Sequence, residues 1–198
     1  FEQVIGDDGT VYPTIEDKVV TLGYVVKKEH RSVETEAFEI YVPATMQPLT
    51  NTPNARPSVS PEIAEWRGGI GNFETTKDSR IILGSHELSR VADEFSKDYE
   101  DMTGRALPVI EGNEGNAKAG DFYLSLSQDK NGLDKEGYFC YINDHIHLYG
   151  EEETGVYWGT RTLLQILKQN GTTIPQGQIR DYPKYEVRGF GIDVGRQT

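Results

Sequence analysis

The side chains of this sequence that could take part in chemistry include two closely spaced histidines. His145 and His147 lie two positions apart, so a β-strand would carry both on one face, where they could bind a metal ion. A third ligand is not evident nearby, and the sequence contains no His-Glu-x-x-His helix motif. We therefore interpret both as solvated strand histidines and expect no metal site.

Glycines, serines and carboxylates give no stronger catalytic pattern. Gly68-Gly69-Ile70-Gly71 lacks the following glycine and the helix that a phosphate-binding loop requires, and it favours a turn after Trp66. Carboxylates cluster beside predicted helix ends, as in Glu151-Glu152-Glu153, where anions stabilise the helix dipole. No pair can be assigned glycosidase spacing from the sequence, and no serine nucleophile elbow is present. The sequence thus predicts no catalytic residue within this chain.

The stretch from Asp181 to Arg196 carries the most specific pattern. Pro183 interrupts it, and Gly189–Val194 is an apolar strand with interspersed glycines and Arg188 in front. Strand glycines permit close approach of another backbone or a ligand, and a buried arginine requires a partner. The residues alone leave two interpretations open: an ordinary edge strand with a surface arginine, or a strand that faces a ligand.

Composition argues against several classes of partner. Hydrophobic residues make up 36% of the 198 residues and the formal net charge is −12, which describes a folded, acidic protein. Because an acidic surface repels phosphates, we expect no nucleic-acid partner, and no apolar run is long enough for membrane insertion. Phe1-Glu2-Gln3 shows neither an initiator methionine nor a signal peptide, which indicates an internal fragment. The single cysteine, Cys140, lies in an apolar strand pattern and is expected to be buried and unreactive.

Residues 1–43 form a β-rich block that a linker follows. Residues 18–26 and 36–42 have the composition of strands, and the charged residues 27–34 between them predict a hairpin loop. Two strands bury too little to stand alone, so we interpret the block as the remnant of a β-sandwich. Four prolines among small polar residues make residues 44–61 a linker.

Residues 62–183 mix helices and strands. Two helices are expected to follow the N-caps Ser85 and Thr154 and to end at Gly104 and Asn170-Gly171. Short strands are predicted at 80–83, 107–110, 121–126, 137–142, 145–149 and 178–182, with Asn143-Asp144 in a hairpin turn. Because strands and helices do not alternate strictly, we predict an α+β domain with a mostly antiparallel sheet and both helices on one face.

The C-terminal pattern resembles the start of the catalytic domain of glycoside hydrolase family 20, in which Asp-x-Pro and Arg-Gly-x-x-x-Asp-x-x-Arg open the first barrel strand. The matching residues here are Asp181, Pro183, Arg188, Gly189, Asp193 and Arg196. Residues 155–167 resemble the family's second helix, and residues 65–69 resemble an opening seen in its bacterial branch. These signals occur in the family's order over residues 60–198.

The resemblance implies that residues 62–183 are an accessory domain and that residues 184–198 begin a truncated (β/α)8 barrel. In the family, the acetamido group of the substrate attacks its own anomeric carbon, an aspartate orients it and a glutamate protonates the leaving oxygen. Both carboxylates belong to a later strand, and no cofactor is implied. Arg188 matches the arginine that binds sugar hydroxyls, whereas Asp193 and Arg196 match the motif in structural roles. On its own, the apolar strand in residues 186–198 is expected to pack on the domain or to self-associate.

Residues 1–43 more loosely resemble the end of a bacterial immunoglobulin-like module. Such modules occur in large surface glycosidases, which implies an extracellular or cell-surface location on a bacterium. The glycan, a terminal hexosamine or a lacto-N-biose unit, would then bind through the missing barrel. Two alternatives remain: a non-catalytic carbohydrate-binding or adhesin module, because tyrosine and tryptophan can stack on sugars, and a structural spacer.

Overall fold

The computed structural model describes residues 2–23, 25–28, 31–34, 37–45, 53–128 and 132–185. This part of the chain contains eleven β-strands and two α-helices. The strands form two two-stranded sheets and one seven-stranded sheet. Neither of its helices is both long and apolar enough to cross a membrane.

The N-terminal part contains two antiparallel pairs of strands. The pairs are β1 (Lys18–Leu22) with β4 (Phe38–Val42) and β2 (Val25–Lys28) with β3 (Arg31–Glu34). Strands therefore occupy most of the two predicted strand segments. Of the charged segment 27–34, predicted as a loop, residues 27–28 and 31–34 instead belong to the paired strands β2 and β3, with Lys27 opposite Ser32 and Lys28 opposite Arg31.

The large sheet has the strand order β5-β11-β9-β10-β8-β6-β7. The strands are β5 (Glu65–Glu74), β6 (Ile81–Leu83), β7 (Val109–Glu111), β8 (Phe122–Leu126), β9 (Tyr138–Ile142), β10 (Ile146–Gly150) and β11 (Thr173–Asp181). Pairings from β5 to β10 are antiparallel, and pairings from β10 to β7 are parallel. The predicted α+β class is confirmed, and the sheet is mixed.

Two helices, α1 (Ser89–Thr103) and α2 (Glu153–Asn170), pack on one face of this sheet. Their buried side chains form a single core with alternate residues of the strands. Gly104 and Gly171 follow the helices with φ angles of 77° and 73°, a backbone conformation that glycine adopts without strain. The predicted helix ends are therefore confirmed.

The N-caps of the two α-helices lie three and two residues from the predicted positions, at Leu88 and Glu152. Ser85 precedes a short 3-10 turn, its side chain makes no capping hydrogen bond, and α1 begins at Ser89. The second helix begins at Glu153, so Thr154 lies inside its first turn and Glu152 holds the cap position. Extended backbone at Ser85 and Glu152 marks where each helical segment begins.

The β9–β10 hairpin and the buried cysteine agree with the sequence. Residues 143–145 join the two antiparallel strands. Among the described residues other than glycine, only Asp134 has a positive φ, so Asn143-Asp144 does not use the left-handed conformation that favoured it for this turn. Cys140 is 1% exposed in β9, and burial raises the pKa of its thiol well above the ordinary value. An unreactive thiol is expected in such surroundings.

Strand β5 replaces the turn predicted after Trp66. Its backbone pairs with β11 through the glycines, with Gly68 opposite Gly177. A Cβ atom at Gly68 would lie 2.1 Å from the Asn54 carbonyl oxygen, and one at Gly177 would lie 2.4 Å from the Trp66 ring. These glycines therefore admit close contacts along a strand and do not reverse the chain.

The proline-rich segment before β5 lies against the domain. The backbone amide of Asn54 donates to the Gly69 carbonyl at 2.8 Å. The side chain of Gln165 on α2 accepts from the Ser60 amide at 3.0 Å and donates to the Ser60 carbonyl at 3.1 Å. Residues 53–61 form no helix or strand, but these hydrogen bonds hold them against the sheet edge and against α2.

Two glycines set the distance between α2 and the sheet. A Cβ atom at Gly155 would lie 2.1 Å from the carbonyl oxygen of Gly137, just before β9. A Cβ atom at Gly159 would lie 2.3 Å from a methyl carbon of Leu148 on β10. Both positions belong to the helix pattern found in residues 155–167, so close packing of α2 on the sheet explains them physically.

Candidate functional site

The predicted site residues Arg188, Asp193 and Arg196 lie outside the described residues, within 186–198. Sugar binding by Arg188 and self-association through this segment therefore stay predictions. The structure describes the region that leads to them, which is the end of β11 and residues 182–185.

A buried ion network lies at the end of β11, on the sheet face opposite the helices. Ile179 packs in the helix core, so Arg180, the next residue, faces the other side. The strand register places Glu65 of β5 opposite Arg180, and both residues are 0% exposed. Nη1 of Arg180 forms ion pairs with the carboxylates of Glu65 and Glu2. Nζ of Lys18 lies 2.8 Å from Oε1 of Glu65.

Glu65 also binds the backbone of the segment before β1. Its Oε2 atom accepts hydrogen bonds from the amides of Ile15 at 2.9 Å and Glu16 at 3.2 Å. Burial acts to raise the pKa of Glu65, but the hydrogen bond from Lys18 and the charge of Arg180 outweigh it, so this pKa lies below the ordinary value. Glu65 is thus an ionised carboxylate that ties the N-terminal segment to β5 and β11.

Asp181 anchors the chain where it leaves the sheet. Its Oδ1 atom accepts hydrogen bonds from the amides of Ala64 and Tyr182, both at 3.0 Å. Its Oδ2 atom accepts from the Tyr138 hydroxyl at 2.9 Å, and that hydroxyl meets the Thr162 hydroxyl of α2 at 2.7 Å. Burial raises the pKa of Asp181, although these hydrogen bonds oppose it. The first residue of the Asp-x-Pro motif is therefore fixed to β9 and linked through it to α2.

The sheet face opposite the helices, which carries the ion network, also carries a ladder of aromatic rings on β8, β9 and β10. The ring of Tyr149 stacks on Phe139 at 5.2 Å and on Tyr141 at 5.9 Å between centroids. His147 lies 4.7 Å from Tyr123 and 5.0 Å from Tyr149. Burial raises the pKa of Tyr149 well above its ordinary value. These cross-strand ring contacts stabilise the pairing of β8, β9 and β10.

The sequence predicted that His145 and His147 would be solvated, but in the structure both contact Glu114. Nε2 of His145 lies 3.2 Å and Nδ1 of His147 lies 3.4 Å from Oε1 of Glu114. Nε2 of His147 is 2.9 Å from the hydroxyl of Ser125. Burial lowers the pKa of His147, and Glu114 offsets only part of that effect. Within the described ranges, no group of three His, Cys, Asp or Glu side chains is arranged to hold a metal ion.

The buried carboxylates of the domain are engaged by protein groups. Glu65 and Asp181 each accept several hydrogen bonds, as described above. Asp121 accepts from the amides of Arg80 and Lys118, each at 2.9 Å. A catalytic acid or nucleophile must instead reach the substrate. The geometry is therefore that of a domain that holds neighbouring segments in place.

Family comparison agrees with this geometry. The family model described as glycosyl hydrolase family 20, domain 2, matches residues 56–182. The matched range contains the seven-stranded sheet, both helices and Asp181. The chain therefore belongs to glycosyl hydrolase family 20.

Two bacterial enzymes are similar to this chain in sequence. A lacto-N-biosidase from Bifidobacterium bifidum is 29% identical over 139 residues, which are 68% of this chain and 12% of that protein. A beta-hexosaminidase from Porphyromonas gingivalis is 25% identical over 135 residues, which are 63% of this chain and 17% of that protein. The matched region thus spans less than a fifth of either relative.

Solved structures share the fold. The GH20 beta-N-acetylhexosaminidase of Streptomyces coelicolor matches with a TM-score of 0.58 and 22% identity, over 69% of this chain and 28% of that chain. A GH20 exo beta-N-acetylglucosaminidase of Vibrio harveyi matches with a TM-score of 0.53 and 14% identity, over 77% of this chain and 25% of that chain. At these identities the likeness concerns the fold alone.

The sequence did not identify the Glu65–Arg180 network. A signal was present, because Arg180 interrupts the strand pattern of residues 178–182 next to the apolar Ile179. Its partner Glu65 is 115 residues away, at the start of a strand that the sequence interrupts with a predicted turn after Trp66, so the pairing could not be predicted from the sequence.

Proposed function

We propose that this chain is the accessory α+β domain of a glycoside hydrolase and that it supports the following barrel without catalysing hydrolysis. The family match over residues 56–182 is the observation that carries the proposal. The hydrogen bonds that anchor Asp181 support it, because Asp181 and Pro183 open the connection to Arg188. A fixed exit from the sheet would position the first barrel strand.

The whole enzyme would remove a terminal β-linked N-acetylhexosamine or a lacto-N-biose unit by substrate-assisted retaining hydrolysis. The names of the two bacterial relatives, a beta-hexosaminidase and a lacto-N-biosidase, support these two substrates. Arg188 would bind sugar hydroxyls, and Asp193 and Arg196 would hold the strand that carries it. The catalytic aspartate and glutamate would lie on a later strand.

We place the enzyme outside the cell or on the surface of a bacterium. The resemblance of residues 1–43 to an immunoglobulin-like module supports this location, and the paired strands β1–β4 and β2–β3 are compatible with it.

A non-catalytic carbohydrate-binding or adhesin role is the second candidate. Trp158 favours it, because this ring on α2 is 44% exposed beside Tyr157, at 5.2 Å between centroids. An exposed indole can stack on the apolar face of a sugar.

The test uses the product of the longer gene, extended beyond Thr198. Either aryl β-N-acetylglucosaminide or aryl β-lacto-N-bioside should be hydrolysed, which decides between the two substrates, and the matching α-linked glycosides should not. NMR of the first product formed should detect the β-anomer, because two displacements at the anomeric carbon retain its configuration. An α-anomer as the first product, or hydrolysis of the α-linked substrates, would contradict the proposed mechanism.

A further inference from the structure

We infer that the end of the sheet around Arg67 and Gln178 is a glycan-binding site of this domain. A cavity of about 280 Å³ opens there between β5, β11 and the β9–β10 turn. Its polar lining consists of the side chains of Arg67, Asn143, Gln176 and Gln178. The choice of a glycan as the ligand rests on the proposed function.

The polar side chains of this cavity are not engaged by the protein. In the described part of the chain, Arg67, Asn143, Gln176 and Gln178 have no side-chain hydrogen bond. Nε of Arg67 and Oε1 of Gln178 are two of eight side-chain atoms in the described residues that are shielded from solvent without a hydrogen-bond partner, and these two line the same cavity. Native proteins pair nearly all such atoms, so an unpaired donor and acceptor in one cavity require an explanation.

The neighbouring row of the same two strands shows the contrast. Arg180 and Glu65 face each other in the register and form the buried ion pair through Nη1, although Nε and Nη2 of Arg180 have no hydrogen-bond partner. Gln178 faces Arg67 one row further along, and no ion pair forms there. Several other arginines of the domain pair with a carboxylate: Arg56, Arg80, Arg90, Arg161 and Arg180. Arg67 has no carboxylate within ion-pair distance among the described residues, although the chain carries a net charge of −12.

A sugar fits these groups better than an anion or an apolar ligand does. Sugar hydroxyls donate and accept, so one ring can satisfy a guanidinium donor and an amide acceptor together. Ile70, which is 58% exposed at the rim, offers a surface for an apolar sugar face or an acetamido methyl group. An anion would satisfy Arg67 but leave Oε1 of Gln178 without a donor, and the acidic surface would repel it.

The test is titration of the 15N-labelled 198-residue chain with N,N′-diacetylchitobiose, followed by NMR. Saturable shifts are expected at the backbone amides of Gly68, Gly69 and Gly177, which line the cavity. Maltose, which lacks acetamido groups, should shift them less. Absence of saturable shifts, or shifts with sodium sulfate but not with the disaccharide, would overturn the inference.

Substitutions then link binding to the named side chains. Arg67→Met and Gln178→Ala should each weaken chitobiose binding by about tenfold or more, because each removes hydrogen bonds that no protein group replaces. Arg90→Met, which alters an arginine paired with Glu94 on α1, is the matched control and should bind as the wild type does. Because the side chain of Arg67 has no hydrogen-bond or ion-pair partner among the described residues, its variant should keep the wild-type thermal midpoint. If that midpoint changes, Gln178→Ala replaces it in the test. Wild-type affinity in a folded Arg67 or Gln178 variant would refute the site.

Failure of this inference is distinguishable from failure of the proposed function. Hydrolysis by the longer enzyme does not depend on chitobiose binding to the 198-residue chain. An active enzyme whose accessory domain shows no shifts would overturn only the glycan site.

Discussion

Replacing Glu65 by Gln should destabilise the α+β domain more than replacing its partner Arg180 by Met. Both side chains are 0% exposed. Glu65→Gln keeps the volume but removes the charge that faces Arg180, whose guanidinium then keeps the partly exposed Glu2 as its carboxylate partner and the rings of Phe139 and Tyr182. In Arg180→Met, by contrast, Glu65 retains Lys18 at 2.8 Å and two backbone amides.

The magnitudes follow from these remaining partners. Breaking a buried ion pair by removing one member costs about 3–5 kcal/mol, because the other charge stays desolvated. We expect Glu65→Gln to fall in this range and Arg180→Met to cost about 2–3 kcal/mol, because Glu65 keeps its other partners. At about 2–4 °C per kcal/mol for a chain of this size, the two midpoints should fall by roughly 6–20 °C and 4–12 °C. The double variant should cost less than the sum of the two.

Tryptophan fluorescence during urea unfolding measures these differences. The two tryptophans of the chain, Trp66 and Trp158, both lie in the α+β domain, so the signal reports on that domain. Arg90→Met, which removes exposed ion pairs with Glu94 on α1 and Glu153 on α2, is the control and should cost about 1 kcal/mol at most. The reasoning is refuted if Glu65→Gln costs no more than this control, or if Arg180→Met costs more than Glu65→Gln.

Three further predictions concern other parts of the chain. Gly155→Ala should lower the free energy of unfolding by about 1–3 kcal/mol in the same urea assay, because its Cβ atom would lie 2.1 Å from the Gly137 carbonyl oxygen; a wild-type midpoint would show that α2 is not held so closely. The fold lowers the pKa of His147 below its ordinary value, so the unfolded chain binds a proton at this imidazole at a higher pH than the folded chain does. The free energy of unfolding should therefore fall as the pH drops below about 6.5. His147→Phe should flatten that part of the stability–pH curve, and an unchanged curve would assign it to other groups. In the longer enzyme, Arg188→Ala should reduce kcat/KM by about a hundredfold or more and Arg188→Lys should also be poor, whereas near-normal kinetics of the Ala variant would show that the motif is misplaced.

The elements that depend on nearby residues could be predicted from the sequence. Both helices end where a glycine follows an amphipathic segment, at Gly104 and Gly171, because a helix terminus is closed by the residues next to it. The β9–β10 hairpin is equally local. Strand β5 could not be predicted, since its glycines read as a turn until pairing with β11, about a hundred residues later, is known.

The candidate site divides in the same way. The Asp-x-Pro motif marked Asp181 as the start of a connection, but its anchoring depends on Ala64 and Tyr138, which are remote in the sequence. Glu114 is likewise brought to the two histidines by the fold, 31 residues before His145. Side-chain contacts between residues remote in the chain leave no pattern in the neighbouring sequence. The motif could therefore be recognised from the sequence, whereas the residues that anchor it could not.

The central claim is that this chain supports a glycosidase whose catalytic carboxylates lie in a later part of the enzyme. Its most direct test is to assay the purified 198-residue chain and the longer enzyme side by side on an aryl β-N-acetylglucosaminide and an aryl β-lacto-N-bioside. The longer enzyme should turn over one of the two substrates, and the purified chain should turn over neither, because the catalytic aspartate and glutamate would lie on a later strand. Turnover by the purified chain that a hexosaminidase inhibitor abolishes would contradict the claim.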